Sequence, residues 1–186
     1  MVPVTSLWLP ILLSAVIVFV ASSILHMVLR YHRTDFAKLP AEDEIADALR
    51  KNGVAPGDYM FPYAEGPAAM KDPAFLEKRK RGPIGVLTVI PGGSVSMAPY
   101  LAQWFVYCVV VGVFAAYVAG RALAPGAPYP SVFRFAGCTA FVAYSLALWQ
   151  NSIWYRRKWS TTIKSNFDGL LYGLLTAGTF GWLWPR

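Results

Sequence analysis

The stretch Trp149–Gly178, "WQNSIWYRRKWSTTIKSNFDGLLYGLLTAG", passes from aromatic through basic to apolar, and one carboxylate, Asp168, stands in its apolar half. The nine other acidic residues all fall between Asp35 and Glu77. What a lone acid among leucines and glycines means depends on the solvent around it, so composition decides how the segment is read.

Of 186 residues, 56% are hydrophobic and only 15% charged, with a mean hydropathy of +0.42. Soluble domains carry about 25% charged residues, so water is the wrong solvent for this chain. Four segments are long and nearly free of charge: Leu7–Leu29, Ala98–Gly120, Val132–Trp149 and roughly Ile163–Trp184. A helix needs about 20 apolar residues to cross about 30 Å of hydrocarbon. The first two clear that length, the third reaches it by using Gln150–Trp154 at the interface, and the fourth reaches it if Asp168 is accommodated. None alternates with a period of two, which argues against a membrane barrel. The expected fold is an all-α membrane protein with four transmembrane helices. Residues 1–30 hold the first, 31–97 form a cytoplasmic insert, and 98–186 hold helices two to four, in a single membrane domain.

Charge sets the expected orientation. Residues 30–97 carry ten Lys and Arg, and Arg156, Arg157, Lys158 and Lys164 raise that side to fourteen. The other side holds Arg121, Arg134 and Arg186. Basic residues stay cytoplasmic, which puts both termini outside. Trp149, Trp154, Tyr155 and Trp159 fit an interfacial belt at the inner face, Trp182 and Trp184 one at the outer face. No Lys or Arg precedes Arg30, so the first apolar run reads as a retained anchor and not a signal peptide. The net charge of +7 is mostly this positive-inside flank, with the bilayer as partner and no pattern for nucleic acid.

Within the insert, "LPAEDEIADALRKNG" reads as a short helix, with acids in its first turn, Arg50 and Lys51 in its last and Gly53 ending it. "PGDYMFPYAEGP" and "GPIGVLTVIPGG" are extended apolar runs bracketed by Pro and Gly, compatible with a small hairpin. "DPAFLEKRKRG" between them reads as a helical turn ending in a basic cluster.

Catalytic and cofactor motifs do not appear. Cys108 and Cys138 sit in spans without metal-ligand spacing, and no GxGxxG, Walker loop, GxSxG or HExxH is present. His26 and His32 both come from the inner end of the first helix. On a continuous helix their spacing separates them by about 120°, which excludes a shared metal. No catalytic, cofactor-binding or metal residue is therefore assigned, and no cofactor is expected.

The fourth helix carries more information. Gly169, Gly173, Ala177 and Gly181 recur every four residues, a small-residue ladder of the kind that lets membrane helices approach closely. Thr161, Ser165, Asp168, Tyr172, Thr176 and Thr179 form an adjoining polar face. Gly112, Ala116 and Gly120 make a related ladder on the second helix, so these two helices are expected to be the tightest pair; packing within the chain and homo-oligomerisation both remain open. Asp168, His26, Gln150 and Asn151 fall at one depth near the cytoplasmic boundary, with Lys164, Ser22 and Ser23 nearby. A carboxylate inside a span costs about 2.5–3.5 kcal/mol and should face the bundle with a partner. These residues form either a structural polar cap or a proton-handling or ligand site.

"LWLPILLSAVIVFVASSILHMVLRYHRTDFAKLP", "PGDYMFPY", "GRALAPGAPY" and "LALWQNSIWYRRKWSTTIKSNFDGLLYGLLTAGTFGWLWP" resemble a family of small, uncharacterised bacterial membrane proteins. The resemblance covers most of the chain, implies a bacterial inner-membrane location and transfers no activity. Two functions are expected from the residues. One is a non-catalytic scaffold or accessory subunit, partnered by another membrane protein or a second copy of itself. The other is a small transporter or membrane-embedded enzyme using Asp168 and His26.

Overall fold

The computed structural model describes residues 1–94 and 96–186. It is mostly helical and divides into two compact units, Met1–Ala37 with Ser96–Arg186, and Lys38–Val95.

The first unit is built on four long helical stretches. The first begins with a 3-10 turn, Val4–Leu7, runs through α1 (Trp8–Ser23) and ends in a π-turn, Ile24–Val28. In the second unit come α2 (Glu42–Lys51), α3 (Gly66–Ala69) and α4 (Pro73–Arg81), after which α5 (Ala98–Ala122) returns to the first unit. Then α6 (Tyr129–Ser145) passes through a 3-10 turn, Leu146–Leu148, into α7 (Trp149–Trp154), and α8 (Trp159–Trp182) follows. Pro99 and Pro130 sit in the first turns of α5 and α6, where their missing N–H groups leave no hydrogen bond unmade.

These four stretches close into an antiparallel ring, α1 beside α5, α5 beside α6, α6 beside α8, and α8 beside α1. Val2 donates to the Gly120 carbonyl at one end of the α1–α5 pair, and Trp104 donates to Ser22 Oγ at the other. Tyr107 of α5 donates to the Ala143 carbonyl of α6. The core is two clusters: one around Leu7, Ala119, Val132 and Phe180, the other around Val18, Cys108, Tyr144 and Tyr172.

The distribution of side chains is compatible with a helix bundle in a membrane. Small and polar residues such as Ser14, Ala115, Ala140, Gly173 and Thr176 face inward, while Trp8, Phe114, Phe167 and Trp182 face out. Lipid tails are as apolar as leucine, so helices associate through close packing and not by hiding large side chains. Among the described residues, three helices are long and apolar enough to cross a membrane: Val4–Val28, Ala98–Ala122 and Tyr129–Trp154. At 24 residues α8 is about 36 Å long, but it carries the polar face that sets it apart from those three.

Half of that polar face is satisfied within its own helix. Ser165 Oγ donates to the Thr161 carbonyl, Thr176 to Tyr172 and Thr179 to Leu175, each one turn back along α8. The ladder residues of α8 lie against α6, not against α5 as the pairing of the two ladders led one to expect. A Cβ added at Gly173 would stand 3.1 Å from Phe141 Cβ, one at Gly181 would stand 2.6 Å from the Tyr129 ring, and one at Gly169 would overlap Ser145 Oγ. Gly137 of α6 answers the ladder from the other side, where a Cβ would meet Ala177 Cβ at 2.7 Å. On α5, Gly112 faces Ile11 and Gly120 faces Val2. Both ladders are therefore used within the chain; the partner of the α8 ladder is not legible in the sequence because nothing there marks Gly137 as the complement of Ala177.

In the second unit, the acid-start, base-end segment forms α2. The two extended runs pair as an antiparallel hairpin, β1 (Gly57–Phe61) and β2 (Gly85–Val89), with Tyr59 opposite Leu87. Thr88 Oγ1 donates to Asp58 Oδ1 across the hairpin. The basic run closes α4, whose N-terminus is capped by Asp72 with Pro73 in the first position. None of the described residues 38–94 is buried.

Candidate functional site at the end of the first helix

The site begins with a break in the backbone. After the π-turn, Leu29 is extended at φ −80° and ψ 122°, and the chain folds back as a 3-10 turn, Arg30–Thr34. The reversal carries His32 under the end of its own helix. The His26 and His32 rings stack at 4.4 Å between centroids and 25° between planes. The separation expected on a continuous helix does not occur, because the helix is not continuous there. The two imidazoles therefore stand close enough to share a ligand.

His32 then joins two carboxylates. Its Nδ1 lies 2.7 Å from Asp35 Oδ2 and its Nε2 lies 2.8 Å from Asp168 Oδ2. His26 Nε2 is 3.8 Å from the same Asp168 oxygen. Lys164, one turn before Asp168 on α8, donates to the Tyr31 carbonyl at 2.7 Å, to Thr34 Oγ1 at 2.7 Å and to Asp35 Oδ1 at 2.9 Å. So α8 grips the reversed turn at two points, through an ammonium and a carboxylate. Burial on its own would raise the Asp35 carboxyl, but hydrogen bonds from His32 and Lys164 outweigh it and hold the group below the usual carboxylate range.

Asp168 is only 3% exposed, and its Oδ1 has no hydrogen-bond partner among the described residues. Buried hydroxyls of Tyr31, Thr161, Tyr172 and Ser145 are likewise without partners. Tyr172 follows Asp168 by one turn and packs against Tyr144, with ring centroids 5.4 Å apart. The His26 side chain is half exposed, so the site opens on that side.

Of the expected cluster, His26, Lys164 and Asp168 come together, and Gln150 and Asn151 do not. Gln150 is exposed, and the Asn151 carbonyl accepts from the Tyr155 and Arg157 N–H groups to turn the chain toward α8. At that end of α7 the buried bond is instead Ser152 Oγ to Thr162 Oγ1, 2.6 Å. Ser22 and Ser23 donate to their own helix at the Phe19 carbonyl. His32 and Asp35 were not picked out as partners, although Asp35 is the acid nearest the first apolar segment and stands three residues after a histidine. Cys108 and Cys138 are both free thiols. No family model, curated protein or solved structure matches this chain.

Proposed function

We propose that this is a four-span membrane protein that acts through a cation-binding site at the basic end of its bundle. The observation that carries this reading is Asp168, a buried carboxylate with one oxygen on His32 and the other without a partner. A cap needs only satisfied groups, and a spare buried carboxylate oxygen is costly unless something binds it. His32 stands within hydrogen-bond distance of both carboxylates, so a proton lies between its Nε2 and Asp168, and a cation would take the place of that proton. The close fit of α8 along α6 and α7, from Gly181 at one end to Thr162 at the other, supports a fourth crossing antiparallel to the third. The positive-inside balance supports a site at the cytoplasmic face with both termini outside, and the resemblance supports a bacterial inner membrane.

The scaffold reading is kept by a separate observation. Met60, Phe61, Tyr63, Ile84 and Ile90 of the second unit are all exposed, a surface suited to docking on lipid or another membrane protein.

Complementation in the native host tests the choice. A deletion strain is grown under pH, metal-ion and osmotic challenge until a defect is found. Asp168→Asn, matched to wild type in membrane abundance, should then fail to restore growth. Full restoration would leave Asp168 a structural acceptor and favour the scaffold.

A further inference from the structure

We infer that His26 Nε2, His32 Nε2 and an Asp168 carboxylate oxygen form a binding site for a divalent transition-metal ion. The inference deepens the cation-site reading above and rests on it for function, though not for binding.

One ligand atom from each of the three residues lies within 4.8 Å of the other two. Metal–ligand distances of about 2.0–2.2 Å put tetrahedral ligand atoms roughly 3.3–3.6 Å apart. The two separations to Asp168 Oδ2, 2.8 Å from His32 and 3.8 Å from His26, bracket that spacing. The two imidazole ligand atoms lie within 4.8 Å of each other, so the ion draws the three ligands together by side-chain rotation.

The surroundings are those a metal-binding histidine needs. A histidine that ligates through Nε2 is held by a hydrogen bond from Nδ1–H to a carboxylate or carbonyl, which fixes its tautomer and ring plane. Asp35 Oδ2 supplies that bond at 2.7 Å, and Lys164 in turn fixes Asp35 Oδ1 at 2.9 Å. His32 Nε2 is thereby aimed at Asp168. The buried, unpartnered Asp168 Oδ1 is an independent sign of a missing ligand, since it gives the carboxylate a second oxygen for the same ion.

The backbone points the same way. Only the π-turn at Ile24–Val28 and the reversal at Leu29 bring the two imidazoles onto one side, and single π-turns inside helices are frequent at functional sites. Half-exposed His26 provides the way in.

The donor set selects the ion. Two imidazoles and a carboxylate suit Zn²⁺, Fe²⁺, Co²⁺, Ni²⁺ or Mn²⁺; Mg²⁺ and Ca²⁺ want oxygen, and Cu⁺ wants sulfur. Three protein ligands leave a position open for water or a substrate, the arrangement of catalytic and not of structural zinc sites. When the ion binds, the proton held between His32 Nε2 and Asp168 leaves to solvent, and the ion takes its place between the same two atoms.

The test is equilibrium binding of Zn²⁺ and Co²⁺ to the full chain, purified in mild detergent through a tag without histidine and stripped with a chelator. Calorimetry reads Zn²⁺ stoichiometry, and visible absorption reports the Co²⁺ ligand field. One ion per chain is expected, with a Co²⁺ spectrum of low coordination number. His26→Ala removes a ligand from a half-exposed side chain and so leaves folding intact; it should weaken binding by more than the ~10–100-fold typical of losing an outer partner. Asp35→Asn should weaken it by about 10–100-fold. Binding that keeps full affinity in both His26→Ala and Asp168→Asn, or no binding by the folded wild type, would overturn the site. If the metal does not bind and Asp168→Asn still fails in the host, the metal proposal falls and the cation-site reading stands. If the metal binds as expected while Asp168→Asn restores growth, the site stands and that reading falls.

Discussion

His32 and Asp168 are 136 positions apart and meet at 2.8 Å, imidazole Nε2 to carboxylate Oδ2. The contact joins the reversed end of the first helix to the first half of α8. The sequence must interrupt a helix to make it, because a helix continued past Leu29 would carry His32 away from His26. Two further bonds from Lys164 to Thr34 and Asp35 lock the same turn, so the site is held from one side by α8 alone.

Lys164 is the first place to test that grip. Lys164→Met removes three hydrogen bonds and leaves Asp35 with His32 as its remaining side-chain partner. Hydrogen bonds to charged groups contribute about 1.5–3 kcal/mol each at most, and they are not additive here. Thermal unfolding in detergent should show a loss on the order of 2–4 kcal/mol, with Lys164→Arg recovering part of it. An unchanged melting temperature would mean the turn holds its shape without α8.

Helix pairing is checked by disulfide trapping in a chain with Cys108 and Cys138 replaced by serine. Cysteines at Phe141 and Gly173 face one another across α6 and α8 and should oxidise readily, since a bridge wants Cβ atoms about 3.5–4.5 Å apart. Cysteines at Gly112 and Gly173 should not. The reverse outcome would restore the pairing of the two ladders.

The fit of that interface sets the cost of filling it. In Gly173→Ile the new side chain meets Phe141 and the Gly137 carbonyl, at 3.1 and 3.3 Å from the first added carbon. Overpacking of this kind costs about 1–3 kcal/mol, read as a lower unfolding temperature with the helix content kept. Unaltered stability would show that α6 and α8 have room to separate.

How much of this was legible in the sequence follows from the range of each signal. Apolar length and small-residue spacing are local, so the long helices, the inward face of α8, the insert helix and the hairpin segments could all be read. Asp168, His26 and Lys164 were placed together because helix ends at one membrane boundary share a depth. His32 and Asp35 were not, since their roles depend on a backbone reversal at Leu29 that no Gly or Pro announces. Gln150 and Asn151 were placed in the cluster by depth alone. Depth says nothing about which way a helix face turns, and Gln150 turns outward.

Orientation is open to direct labelling. With both termini outside, Ala124→Cys between α5 and α6 should react with an impermeant maleimide on intact spheroplasts, and Ala68→Cys should react only after lysis. Both alanines are exposed, so access depends on side and not on burial. Opposite labelling would invert the bundle and move the site to the outer face.

The most direct measurement of the site itself is a double-mutant cycle between His32 and Asp168. Unfolding free energies are compared for wild type, His32→Ala, Asp168→Asn and the double variant, in detergent and with chelator present. A bonded, buried pair predicts a coupling of about 1–3 kcal/mol, with the double variant less destabilised than the sum of the singles. Single effects that add to within about 0.5 kcal/mol would mean that His32 and Asp168 do not interact, and the buried site at the end of the first helix would not exist.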